Sequence, residues 1–271
     1  MEQFRNAAIS PALDDQGTRM LTVFSPALGR RADITVCIPE EAAADRLPLL
    51  ILLHGVHGSH WNWWALGGLA ENLRELKAEG NMHPFAIAMP SDGLWGAGTA
   101  YVPHRSFDAE AWIMQDVPAA IRSLAPRVDT TRLYLAGLSM GGYGAIRLGM
   151  KYADQVAGIS AHSAITRIEQ LQDHVQEPIG EFLWSGAENV DIMHWARQNR
   201  GRVPPLRFDC GLEDPLLQGN RALHASLLQA GIEHTYEEFE GGHTWEYWST
   251  HLLRTLRFMS NLEARAKTQT L

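Results

Sequence analysis

Thr131–Gly149 reads TRLYLAGLSMGGYGAIRLG, and the rest of the chain is organised around this stretch. An apolar run, Leu133, Tyr134, Leu135 and Ala136, stops at Gly137. Leu138, Ser139, Met140, Gly141 and Gly142 follow, and then a helix-compatible run from Tyr143 to Met150. Gly137–Gly141 matches G-x-S-x-G, a pattern in which a serine sits on a sharp strand-to-helix turn with its hydroxyl exposed above the sheet. The glycines are needed because such a turn brings neighbouring backbone too close for Cβ atoms. Five residues of this kind recur by chance, and an ordinary glycine-rich strand–helix turn is the bland alternative. The strand before and the helix after give the match its weight.

Outward from this turn, strands alternate with helices. Thr18–Ser25 and Arg31–Pro39 alternate apolar and polar residues around a short connection, which predicts an antiparallel hairpin at a sheet edge. Leu47–His54 (LPLLILLH) is short and almost continuously apolar, as a strand buried on both faces requires. Gly55, Val56, His57 and Gly58 follow, then Trp61, Trp63 and Trp64, and a helix over about Leu66–Glu79 with Leu69, Leu73 and Leu76 on one face. Next come a strand at Phe85–Pro90, a glycine-rich loop from Ser91 to Thr99, and a helix over Ala109–Leu124 that Pro118 should kink or break. Beyond the central turn, strands are predicted at Val156–Ser160, Pro205–Cys210 and His234–Glu240, with helices at Leu216–Ala230 and Trp245–Ala264. The segment of about residues 164–203 mixes aromatics, charges and short helical patterns, and reads as a lid-like insertion. The expected fold is α/β, a mostly parallel, doubly wound sheet with an N-terminal antiparallel hairpin, in a single domain over residues 1–271.

Composition bounds the partners. The 271 residues are 45% hydrophobic and 20% charged, those of a globular chain with ample core. A net charge of −8 without a long basic run argues against a nucleic-acid partner. The N-terminal MEQFRNAAISPALDD lacks the basic-then-apolar build of a signal peptide, and the longest apolar run, near Leu47–Leu53, is too short to span a membrane. The expectation is a cytoplasmic protein without a membrane partner. Cys37 and Cys210 fall in separate predicted strands and read as small buried hydrophobes, not as a disulfide.

A serine hydroxyl becomes a nucleophile when a base takes its proton, and the base needs an orienting acid. In an open parallel sheet the reacting groups gather beyond the C-terminal strand ends. Of the 12 histidines, His162 and His243 are those after Ser139 that follow a predicted strand end. His243 also comes after an acid-bearing strand end, which gives the order Ser, acid, His found in α/β-hydrolases. It is the candidate base. The acid lies in GLEDPLL, where spacing alone leaves Glu213 and Asp214 open; Pro215 biases Asp214 toward extended geometry, and capping the next helix is the plainer role for either. Asp209, within a strand, and Asp191, in the insertion, are poorer candidates. Backbone N–H groups for the oxyanion should come from Met140, directly after the serine, and from the loop after the third strand, with Val56 the preferred residue of Gly55–His57. His54, His57 and His60 recur every three residues, but one ends a strand and the others lie in a loop, so no helix face aligns them for a metal. No metal or cofactor is expected.

The blocks LLHGVHG with Trp61 downstream, GLSMGGYGA, CGLEDPLL followed by Asn220, and GGHTWEYW, spread over Pro48 to Trp248, resemble the esterase D group of α/β-hydrolases. That group includes tributyrin, acetyl-xylan and feruloyl esterases and S-formylglutathione hydrolases. The resemblance implies that the acid is the aspartate of C-G-x-x-D, hence Asp214, and that Gly55 and Val56 form the oxyanion loop. It implies a metal-independent serine esterase acting on a small-molecule or carbohydrate ester through an acyl-enzyme and releasing a short acid such as acetate. The W-x-W-W segment after His60 is similar to the tributyrin and carbohydrate-ester branch, and the lack of a cysteine beside the His-Gly loop counts against a glutathione thioester. Gly55, His57, Trp61, Trp95 and Trp184 are the candidate substrate contacts, with core or lid packing as the alternative for the tryptophans. Relatives of this kind often form homo-oligomers. The competing readings are an acyltransferase built on the same acyl-enzyme and, more remotely, a hydrolase fold reused as a binding module.

Overall fold

The computed structural model describes residues 7–39, 46–80 and 83–269. Residues 1–6, which open the segment read above as lacking a signal peptide, lie outside that set. The strands are β1 (Ala8–Ile9), β2 (Thr18–Ser25), β3 (Arg30–Cys37), β4 (Leu47–Leu53), β5 (Ala86–Pro90), β6 (Val128–Leu138), β7 (Val156–His162), β8 (Leu206–Gly211) and β9 (Thr235–Phe239). Among the described residues they form one sheet of nine, in the order β1-β2-β3-β5-β4-β6-β7-β8-β9. The expected hairpin β2–β3 lies toward one edge, extended by β1 and joined antiparallel to β5. From β5 to β9 every neighbouring pair is parallel.

The apolar run of β4 is buried along its whole length because both faces of the sheet are covered. Leu47, Leu49, Ile51 and Leu53 face one core layer, while Leu50 and Leu52 face the other. The helices are α1 (Asn62–Ala65), α2 (Leu69–Ala78), α3 (Ala109–Ala111), α4 (Val117–Leu124), α5 (Met140–Lys151), α6 (Ile179–Phe182), α7 (Ala187–Val190), α8 (Ile192–Gln198), α9 (Leu217–Gln229) and α10 (Trp245–Gln269). The first layer is filled by α4, α5 and α9, and the second by α2 and α10. Leu69, Leu73 and Leu76 are the buried stripe of α2, as their spacing predicts.

Two helices depart from the expectation in detail. The helix predicted from Leu66 begins at Leu69, because Gly68 takes a left-handed φ of 60° at its start. The break expected at Pro118 appears one turn earlier. Trp112–Asp116 forms a wide turn in which the Val117 N–H reaches back to the Trp112 carbonyl, and Pro118 then sits in the first turn of α4, where no N–H is required. The strand predicted to end at Ser160 runs on to His162, which places that side chain inside the sheet. The segment 164–203 holds a 3₁₀ helix at Ile168–Asp173 and then α6, α7 and α8, all short, between β7 and β8.

Candidate active site

The turn after β6 carries the strain its sequence implies. Ser139 has φ 52° and ψ −118°, a conformation that costs a non-glycine residue on the order of 1–3 kcal/mol. A Cβ on Gly137 would collide with the backbone of Gly141, and one on Gly141 with the Leu53 and His54 carbonyl oxygens. Both glycines therefore allow α5 to start against the end of β4. The Ser139 N–H donates to the His162 carbonyl at 2.9 Å, and the Ser139 carbonyl accepts from Ile165 N–H, so the strained residue is held from both sides.

Ser139, His243 and Asp214 come together at the C-terminal end of the parallel strands. Ser139 Oγ lies 3.1 Å from His243 Nε2, and His243 Nδ1 lies 2.8 Å from Asp214 Oδ2. Ser139 and Asp214 are buried, while the imidazole is partly open to solvent. The second Asp214 oxygen accepts the Leu216 N–H at 2.8 Å, so the carboxylate also fixes the turn into α9. Burial pushes the Asp214 pKa up, but the hydrogen bond and charge of His243 and the Leu216 N–H outweigh it and hold the carboxyl below its ordinary range. Glu213, the alternative that spacing left open, points elsewhere: its carboxylate accepts the Gly241 N–H at 2.5 Å. Its own N–H donates to the Gly241 carbonyl, so Glu213 zips the acid loop to the histidine loop. Trp248 stands edge-on to the His243 ring at 4.8 Å and limits its rotation.

Across the cleft, Gly55 packs so that an added Cβ would lie 3.3 Å from Ser139 Cβ. The side chains of Val56 and Met140 both rest on Gly98. Neither the Val56 nor the Met140 N–H has an acceptor among the described residues. Unpaired backbone donors in the residue after the serine and in the loop that packs on it are what a developing oxyanion requires. The loop is fixed by His54, whose Nδ1 donates to the Gly55 carbonyl (2.7 Å) while Nε2 accepts the Asp92 N–H (3.0 Å). Tyr101 Oη donates to the His54 carbonyl (2.9 Å), and the His57 N–H donates to the Ala97 carbonyl (2.7 Å).

The histidine triplet of the sequence is thus dispersed. His54 is buried in these bonds, His57 is exposed with φ 57°, and His60 Nδ1 lies 2.8 Å from Thr35 Oγ1. The candidate substrate contacts also separate. Trp61 is 41% exposed and Trp184 is 52% exposed, the latter beneath the Arg105 guanidinium at 4.6 Å. Trp95 is half-buried in an aromatic cluster with His104, Phe107 and Phe182, which favours packing for it. Asp92, Tyr101, Glu213 and Trp248 support the site without having been singled out for that role by sequence. Glu213 and Trp248 fall within the quoted blocks GLEDPLL and GGHTWEYW; Asp92 and Tyr101 are common residue types in loops, with nothing in their spacing to mark them.

The "Putative esterase" family model matches residues 25–259. An acetyl esterase of Caldicellulosiruptor saccharolyticus is 27% identical over 242 residues, covering 82% of this chain and 87% of that protein. An esterase of Mycobacterium tuberculosis is 26% identical over 252 residues, covering 81% of this chain, which spans 54% of that protein's length. Among solved structures, a ferulic acid esterase superposes with a TM-score of 0.78 at 25% identity, covering 96% of this chain and 99% of the other. An S-formylglutathione hydrolase of Staphylococcus aureus shares the fold with a TM-score of 0.76 at 20% identity, covering 93% and 99%. Among the described residues no helix is long and apolar enough to cross a membrane.

Proposed function

The chain belongs to the esterase family whose model spans residues 25–259 and is a serine ester hydrolase, and we propose that it removes short acyl groups through an acyl-enzyme on Ser139. In this reading His243 Nε2 takes the Ser139 proton as Oγ attacks the ester carbonyl. Asp214 holds Nδ1–H and stabilises the imidazolium that forms, and the Val56 and Met140 N–H groups receive the oxyanion. Collapse of the tetrahedral intermediate expels the alcohol, which takes the proton from His243. Water, activated by the same imidazole, then releases the acid. The observation that carries the reading is the continuous hydrogen-bond chain Ser139–His243–Asp214, at 3.1 and 2.8 Å.

The acyl group we assign is acetyl-sized, and the alcohol portion a small molecule or carbohydrate. The acetyl esterase relative supports the acyl group, and the exposed Trp61 supports a ring-stacking alcohol portion, whereas Trp184 already carries the Arg105 guanidinium over one face. We place the protein in the cytoplasm, which suits the two unpaired buried thiols, Cys37 and Cys210. The test is a panel of acetylated sugar, acetylated xylan, tributyrin, methyl ferulate and S-formylglutathione, run with the parent protein and Ser139→Ala. The reading expects the highest kcat/KM on an acetyl ester and no turnover by the variant. Preference for the thioester, or for the feruloyl ester over every acetyl ester, would replace the substrate assignment.

A further inference from the structure

A second His–Asp pair lies beneath the first. His162 Nδ1 is 3.0 Å from both Asp209 carboxylate oxygens, and both residues are fully buried. The sequence offered His162 as the other strand-end histidine after Ser139 and Asp209 as a poorer candidate acid. They belong to a closed ring. Arg207 Nη1 donates to Ser160 Oγ at 3.2 Å, Ser160 Oγ lies 2.5 Å from Thr255 Oγ1, and Thr255 Oγ1 lies 2.8 Å from His162 Nε2. Arg207 Nη2 returns to Asp209 Oδ2 at 2.6 Å.

The ring has a direction. A guanidinium can only donate and a carboxylate can only accept. One proton sequence uses every group: Arg207 to Ser160, Ser160 to Thr255, Thr255 to His162 Nε2, and His162 Nδ1–H to Asp209. The reverse sense around the hydroxyls would leave the Ser160 proton without an acceptor in the ring. A buried network satisfied in this way is rigid, since any rotation strands a polar atom in the core.

The ring touches the segment behind each triad residue. The backbone carbonyl of His162 accepts the Ser139 N–H at 2.9 Å. Asp209 lies in β8, which leads within a few residues to Asp214, and its carbonyl accepts the Ser163 N–H at 2.7 Å. Thr255 belongs to α10, which begins just after His243, and Tyr247 in the first turns of α10 donates its hydroxyl to Asp209 Oδ1 at 2.9 Å. Trp248, next along that helix, is the ring that flanks His243.

We propose that the Arg207–Ser160–Thr255–His162–Asp209 ring, with its Tyr247 spur, is a positioning frame that sets Ser139, Asp214 and His243 in register. The proposal rests on the triad reading above. None of its members contacts the reacting atoms; His162 and Asp209 are positioning residues. A displacement on the order of 1 Å between nucleophile and base costs as much as a hundredfold in rate, so a loosened frame should show in kcat before it shows in binding.

The experiment compares the parent with Thr255→Val, which keeps the shape and opens the ring, Thr255→Ser, which keeps the hydroxyl, and Tyr247→Phe, which cuts only the spur. Steady-state kinetics on p-nitrophenyl acetate are taken well below each melting temperature, with Ser139→Ala alongside. Thr255→Val and Tyr247→Phe are expected to lose about tenfold in kcat with KM held within about twofold, and Thr255→Ser to stay near the parent. If Thr255→Val does not fold, Tyr247→Phe alone decides. A kcat within about twofold of the parent in the folded variants, with only the melting temperature lowered, would reduce the ring to a structural role and overturn the proposal. Turnover by Ser139→Ala would instead remove the triad reading and the frame with it.

Discussion

At the scale of single residues, the adjacent carboxylates Glu213 and Asp214 show what spacing can and cannot decide. Both lie after the correct strand, and only the backbone turn at Pro215 and Leu216 aims Asp214 at His243 while Glu213 folds back to Gly241. Asp214→Asn should therefore lower kcat by about 10⁴, because an amide favours the wrong imidazole tautomer, whereas Glu213→Gln should stay within about tenfold of the parent. Kinetics on p-nitrophenyl acetate separate the two, and equal losses would argue against this division of roles. The depressed Asp214 pKa has a thermodynamic counterpart. A carboxyl held lower in the folded protein than in the unfolded chain contributes stability above the unfolded value, about 3.9, and loses it as pH falls through the folded value. The melting-temperature gap between parent and Asp214→Asn should thus be open at pH 7 and close as the pH drops below about 4. A gap that widened in acid would contradict the assigned shift.

Among the elements, the strand–turn–helix of β6 and α5 was legible because its glycines answer to one steric demand, the approach of α5 to the β4 carbonyls. Gly141→Ala should force that approach apart and cost about 3 kcal/mol, the upper end of the usual range for overpacked sites, as read by guanidinium denaturation. Wild-type stability in that variant would mean that the turn is looser than the contacts at Gly141 indicate. The insertion between β7 and β8 was legible only as an irregular stretch, since its helices are too short to display a period. What holds it is a buried polar group on α5. Arg147 pairs with Glu110 at 2.7 Å and donates to the Tyr101 and Asn189 carbonyls, while Lys151 and Tyr152 also bind Glu110. Burial raises the Glu110 pKa, and the two cations and the tyrosine hydroxyl more than reverse it. Removing one member of such a pair strands the other, so Glu110→Ala should cost about 3–5 kcal/mol in denaturant unfolding. A loss below about 1 kcal/mol would place the attachment of the insertion elsewhere.

Over the whole molecule, the alternation of strands and helices and the mostly parallel sheet could be read because periodicity and chain order are properties of the sequence itself. The shape of the substrate site could not, because it depends on where the loops at residues 91–108 and 164–203 meet. Trp95 illustrates this: as a loop tryptophan it looked like a ligand contact, yet His104, Phe107 and Phe182 enclose it. The His162–Asp209 pair was hidden for a related reason. Its members are far apart in sequence and meet only because β7 and β8 are neighbours in register, His162 opposite Asp209. The same sheet thus carries two His–Asp pairs, one open to the serine and one sealed in the core. Whether Ser139 carries the acyl group is read by rapid acid quench of the enzyme with p-nitrophenyl acetate, followed by intact-mass and peptide analysis. A single acetyl group is expected on the peptide containing Ser139, with neither adduct nor turnover in Ser139→Ala. An acetyl group mapped to another residue, or turnover by Ser139→Ala at near the parent rate, would contradict that expectation.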